Sequence, residues 1–197
     1  MTTSAPGVSF PITFDDDANH LLTHDPLALL YGMLLDQQVP MTWAFKSPMV
    51  IKERLGDRWS PAGIAGMDPE DLVALFCAKP AVHRYPAAMA RRAHAIAVQI
   101  VDEYDGTTEA IWTTAKSGET LYKRVSSLPG FGTEKAQIFV ALLAKRFDVK
   151  PRGWKAAAGP FGDTQPRSAA DVDSMAKLRE VQAWKKAQKA AGRTKSD

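Results

Sequence analysis

Apolar residues recur at helical spacing along most of the chain, and the elements they predict are helices. Asp25-Pro26 is a strong start, a capping carboxylate followed by proline in the first turn. The run from Leu27 to Leu35 is apolar nearly all round, which marks a buried central helix, and it ends in Asp36-Gln37-Gln38-Val39-Pro40. Met41 to Leu55 read as one or two short helices, interrupted at Ser47-Pro48 and closed by Gly56, with Trp43 and Phe45 as core aromatics. A second Asp-Pro start at Asp68-Pro69 opens a helix containing Leu72, Leu75 and Phe76. After His83-Arg84-Tyr85-Pro86, Met89, Ala93, Ile96, Ala97, Ile100 and Val101 line one face of a long amphipathic helix that ends at Gly106. Thr107 starts a further helix through Ile111 and Trp112, and Gly118 opens the next.

The two ends are less regular. Residues 1–24 begin loosely with Pro6, Gly7 and Pro11; Pro11 to Phe14 suggest a short extended piece, and Asp15-Asp16-Asp17 solvated surface or a helix start. Residues 149–170 are rich in proline, glycine and polar side chains and read as a loop lying across a pocket. The last helix is expected from near Asp171 or Asp173 through Met175, Leu178, Val181 and Trp184, with Lys185, Lys186, Lys189, Arg193 and Lys195 making a basic end. The chain thus reads as three regions: 1–24, 25–148 and 149–197.

Within the middle region, Ser126 to Ala136 (SSLPGFGTEKA) reads as a very tight turn between two helices, the pair spanning 121–143. Leu121, Val125 and Leu128 precede it at helical spacing, and Ala136, Phe139, Leu142 and Leu143 come after it. Pro129 ends the first helix, Gly130 and Gly132 can take positive φ and admit a close backbone approach, and Thr133 is a natural cap for the second helix. Free N–H groups at that helix start, with Lys135 nearby, suit a phosphate. The plainer alternative is a helical hairpin in which the glycines only make the turn.

Composition limits the function classes. The chain has 197 residues, 45% of them apolar, enough for one domain or two small interleaved lobes. Net charge is +3 and the pI about 9.0, which permits a nucleic-acid partner without demanding one. One cysteine, Cys77, in an apolar stretch reads as a buried core residue and excludes an internal disulfide or an all-cysteine metal site. The four histidines (20, 24, 83 and 94) lack metal-ligand spacing, so no zinc is expected. With no leader and no membrane-length apolar run, a cytoplasmic protein without a membrane partner is expected.

The adjacent glutamines carry two readings. Gln37 and Gln38 cap the helix end and face water, or their amides, each both donor and acceptor, probe base edges of an unstacked nucleotide. Arg84, Arg91 and Arg92 are either phosphate contacts or a solvated face.

Leu128-Pro129-Gly130-Phe131-Gly132, a small/polar pair, Lys135 and Ala136 resemble the hairpin of the helix-hairpin-helix (HhH-GPD) base-excision DNA glycosylases. The Asp25-Pro26 helix ending in Gln37-Gln38 resembles that superfamily's early helix, and Leu35 to Pro40 with Lys150-Pro151-Arg152-Gly153-Trp154 resemble a small bacterial subgroup lacking the iron–sulfur cluster. The resemblance covers roughly 25–148. It implies an all-α helical bundle or barrel with a C-terminal helix, acting on double-stranded DNA as a monofunctional glycosylase that flips a damaged base and hydrolyses its N-glycosidic bond. The implied DNA contacts are Gln37, Gln38, Leu128, Gly130, Gly132, Thr133 and Lys135. A monomer is expected, with no cofactor beyond a monovalent cation on the hairpin carbonyls.

The pattern breaks where the superfamily's catalytic aspartate should stand. Lys150, Arg152 or Lys155 occupies that place, and Asp148 aligns better with a helix-end residue. A lysine inside the hairpin, used by bifunctional members for lyase chemistry, is replaced by Glu134, with Lys135 turned about 100° away. Asp36 and Asp148 are therefore the candidate carboxylates, with Asp163 and Asp171 weaker as turn and cap residues. The alternative function is a non-catalytic module that binds damaged or bent DNA.

Overall fold

Among the described residues, 10–192 of the computed structural model, the chain is helical, with no strand and one isolated bridge between Ser117 and Arg152. Pro6, Gly7, Arg193 and Lys195 lie outside the described residues. The described chain divides into two compact units, residues 13–111 with 128–130, and residues 10–12, 112–127 and 131–192.

The first unit is arranged around a helix with no polar face. Helix α1 (Asp16–His24) starts on Asp15, whose carboxylate accepts the Ala18 N–H at 3.0 Å. The Asp15–Asp17 cluster is thus a helix start, and the Lys46 ammonium, 2.8 Å from Asp15, holds that carboxyl below its ordinary pKa. No strand forms at Pro11–Phe14; Thr13 instead bonds Asn19. Helix α2 (Pro26–Leu35) buries every residue from Leu27 to Leu35. Burying a side chain of that size is worth about 1.5–3 kcal/mol, so α2 anchors the unit. Its start is closed by Asp25, whose Oδ1 accepts the Leu27 and Ala28 N–H groups while Oδ2 accepts from Trp59 Nε1 (2.7 Å) and Lys52 Nζ (3.2 Å).

Helix α3 (Met41–Leu55) runs unbroken through Pro48. Proline removes one N–H, but packing on α2 outweighs that loss, and Ser47 Oγ donates to the Val82 carbonyl at 2.7 Å. Phe45 is buried, as expected, whereas Trp43 is 39% exposed because its position turns to the outer face of α3. Helices α4 (Pro61–Ala65) and α5 (Pro69–Cys77) are capped by Ser60 and Asp68 and pack on α6 (Pro86–Tyr104). Cys77, the last residue of α5, is exposed rather than buried, since the helix's apolar stripe is carried by Leu72 and Phe76. Asp105 in the left-handed conformation ends α6.

The boundary between the two ranges falls within α7 (Ala110–Thr113), which begins later than Thr107 suggested. Ser117 caps α8 (Gly118–Ser126), and α9 (Thr133–Arg146) is the second unit's most buried helix. The segment 149–170 is not a plain loop: it holds α10 (Trp154–Ala157) and 3-10 turns at Gly159–Gly162 and Ala169–Asp171. Gly118 is required here, because a Cβ on it would lie 2.6 Å from Trp154 Cα and 2.7 Å from the Gly153 carbonyl. Helix α11 (Met175–Ala190) is capped by Ser174, next to Asp173, near its expected start.

Asp171 holds this unit together. Its Oδ1 takes the Lys145 ammonium at 2.6 Å, and its Oδ2 accepts from the backbone N–H groups of Arg167 and Ser168. The two charged side chains are 6% and 14% exposed. Removing one partner of such a pair strands the other, so Asp171→Ala should cost about 3–5 kcal/mol in denaturant unfolding. The exposed Lys123–Glu119 pair should contribute nothing measurable, and a Lys123→Ala midpoint falling as far as that of Asp171→Ala would contradict this account.

Candidate nucleic-acid interface

The hairpin turn is shaped by one glycine's conformation and by another's exposed backbone. After α8, Leu128 is buried, Pro129 stops the helix, and Gly130 adopts φ +86. A Cβ at Gly130 would meet Leu34 Cδ1 at 2.8 Å and Arg92 Cδ at 2.9 Å, so the position needs glycine for conformation and for space. Phe131 then turns its ring edge to Phe139, centroids 6.0 Å apart.

Gly132 is the N-cap of α9, with extended φ −81 and ψ 179 and an open space where its Cβ would be. Its carbonyl accepts the first helical bond, from the Ala136 N–H at 2.9 Å. Gly132 does not use positive φ, and Thr133 is an exposed first-turn residue rather than the cap. Gly132 has no side chain with which to cap α9, whose first-turn N–H groups have no acceptor within the helix. Lys135 Nζ lies 5.7 Å from the Phe131 ring centroid.

The three arginines separate. Arg91 is tied to Glu70 through Nε and Nη2 at 2.9–3.0 Å. Arg84 stacks on Tyr85, its Cζ 5.4 Å from the ring centroid. Arg92 has no hydrogen-bond or ion-pair partner among the described residues, and its aliphatic stem packs where Gly130 leaves room.

The glutamines also separate, for a reason rooted in α2. A helix with no polar side chain near its end must satisfy its last carbonyls from the residues just beyond it. Gln37 turns inward and donates its Nε2–H to the Leu34 carbonyl (3.3 Å) and to Met89 Sδ (3.0 Å), so it does not simply face water. Gln38 is exposed and takes φ +55, a conformation uncommon for a side-chain-bearing residue. His83, buried to 1% exposure, donates from Nε2 to the Gln37 carbonyl at 2.9 Å and accepts the Tyr85 N–H on Nδ1 at 3.0 Å. Sequence reasoning gave His83 no part here. Its position between Val82 and Tyr85-Pro86, just before a helix start, was the only signal available.

The carboxylates are less united. Asp36 is the half-buried C-cap of α2, its carboxylate without a partner among the described residues. Asp148 takes φ +58 just beyond the C-terminus of α9, letting the Val149 N–H donate back to the Leu143 carbonyl, and its carboxylate pairs with Lys150. Helix α9 has 14 residues, so Asp148 stands about 20 Å along its axis from the hairpin turn. Asp163 pairs with Arg167, and Asp171 is the structural hub described above. Among the described residues no group of three or more His, Cys, Asp or Glu is placed to hold a metal ion.

The two hairpin glycines should respond differently to the same change. Gly130→Ala meets both strain and collision and should lose about 1–3 kcal/mol of stability, whereas Gly132→Ala meets neither and should melt like wild type. Thermal denaturation of the pair checks this; equal losses would mean that the turn's geometry is wrong.

No family model matches this chain, and no match was found among curated proteins.

Proposed function

We propose that this chain binds duplex DNA at the hairpin turn and acts on a base turned out of the stack, as a monofunctional DNA glycosylase. The observation that carries the binding is the start of α9 on the exposed Gly132, directly after the Pro129-Gly130 turn. Helices α3, α6 and α10 also start without a side-chain cap, on Pro40, Tyr85 and Gly153, and α9 starts on the exposed Gly132 with Lys135 in its first turn. A helix start left this way favours an anion. Lys135 in its first turn adds the charge that a backbone phosphate attracts, and in the other unit Arg92, beside Gly130, is a separate candidate phosphate contact. A monovalent cation on the turn's carbonyls belongs to the same reading.

The chemistry needs a carboxylate to stabilise the positive charge that develops on the sugar as the base leaves. Asp36 suits it better than Asp148. Asp36 has no partner among the described residues, is half-buried and adjacent to Gln37 and Gln38, and its helix-end position opposes the dipole, so helix stability does not explain it. Asp148 is occupied by Lys150 and by the chain reversal after α9. One observation favours the second reading, a non-catalytic DNA-binding module: the loop after α9 carries Lys150, Arg152 and Lys155 where the resembled enzymes place their acid.

Binding to a fluorescent duplex across a salt series, with base release from a panel of lesions, tests both readings. Wild type should lose affinity as salt rises, and Lys135→Ala and Arg92→Ala should each weaken binding and lower the salt slope by about 1. Base release by wild type but not by Asp36→Asn supports the glycosylase. Binding without release from any lesion supports the module, and no salt-dependent binding overturns both.

A further inference from the structure

The turn from Asp36 to Pro40 is held in place more firmly than an exposed helix end requires. The Gln37 side chain bonds the Leu34 carbonyl and Met89 Sδ. The turn's main chain is held by a ring that the glycosylase reading leaves unused. A backbone carbonyl can only accept and a backbone N–H can only donate, so the Gln37 carbonyl and the Tyr85 N–H fix His83 as the neutral tautomer protonated on Nε2. That ring links the end of α2 to the start of α6.

Next to the pinned residue, Gln38 sits at φ +55 with its side chain in solvent. A turn serving only to reverse the chain accepts glycine or asparagine there at less strain. Strained side-chain-bearing residues persist where the surroundings fix them, and they gather at functional sites. Beyond His83, Tyr85 is 46% exposed with Arg84 lying over its ring.

We propose that His83 is a positioning residue that locks the 36–40 turn so that Gln38, and not Gln37, is the amide offered to DNA at an unstacked or missing base. This rests on the DNA-binding reading above. His83 touches no nucleotide itself. It acts through the Gln37 peptide group, and Gln37 serves as the turn's anchor.

The test compares two duplexes, one intact and one with a tetrahydrofuran abasic site opposite 2-aminopurine, in wild type, Gln38→Ala, His83→Gln, His83→Asn and Lys135→Ala. His83→Gln keeps a donor at the reach of Nε2, while His83→Asn keeps only the acceptor near Nδ1. Wild type should prefer the abasic duplex and brighten the 2-aminopurine. The preference should fall roughly tenfold in Gln38→Ala and His83→Asn, about what one buried polar contact carries, and survive in His83→Gln. Lys135→Ala should weaken both duplexes alike and keep the preference. A preference kept by His83→Asn, or lost by both His83 variants in step with their melting temperatures, overturns the proposal. If wild type binds neither duplex, the DNA reading fails separately. Hydrogen exchange over residues 36–39 then decides the lock: faster exchange in His83→Asn than in His83→Gln, with α2 unchanged, supports it, and equal exchange overturns it.

Discussion

A helix buried on every side supplies none of its own polar partners, and that constraint shapes the first unit. Between Leu27 and Leu35 the only polar side-chain atom of α2 is the Tyr31 hydroxyl, which donates to the Ala93 carbonyl at 2.7 Å and is kept protonated by burial. Everything else α2 needs must come from its ends. Asp25 closes the start and also gathers Trp59 and Lys52. At the far end Gln37 satisfies a carbonyl, and its own carbonyl then calls for a donor, which His83 provides. The polar chain passes from His83 to the Tyr85 N–H at the start of α6. The candidate contact residues Gln38 and Asp36 therefore flank a position whose first duty is to finish a helix.

The second unit solves the converse problem, binding irregular chain to a buried helix. Residues 149–173 contain only short helical turns, and a segment of that kind carries many backbone groups to satisfy. Two devices hold it. Gly118 lets the Gly153–Trp154 backbone approach α8 closely enough for the Gly118 N–H to reach the Arg152 carbonyl at 2.9 Å. Lys145 of α9 bonds the Asp163 carbonyl and Asp171 together. The end of α9 is thereby committed to structure, while its start has no capping side chain at Gly132.

The helices were legible because their starts are chemical. Asp25-Pro26 and Asp68-Pro69 each state a cap and a first turn within two residues, and both hold in the structure. Positions whose role depends on a distant partner were not legible. Cys77 and Trp43 look like core by type, but whether an apolar side chain is covered depends on what packs there, and among the described residues both are left exposed, Trp43 to 39%. Pro48 reads as a break, yet tertiary packing carries α3 through it. Thr133 has the right chemistry for a cap but stands one residue too late, after Gly132 has begun the helix. The pairing of Gln37 with His83 spans 46 residues, beyond the reach of any local pattern.

Grip and chemistry need not stand or fall together. A phosphate contact carries no sequence information, so the proposed grip at the start of α9 would hold sound and damaged duplexes alike. Discrimination must come from side chains that meet a base or the gap left by one, and these need fixed geometry more than charge. In the first unit that geometry exists at one turn, where an inward amide, a neutral buried imidazole and a left-handed residue together fix one exposed glutamine. The lone carboxylate of Asp36 is joined by a peptide bond to that anchored Gln37. A turn this fixed holds its neighbour's backbone too, which is the preorganisation a charge-stabilising group requires.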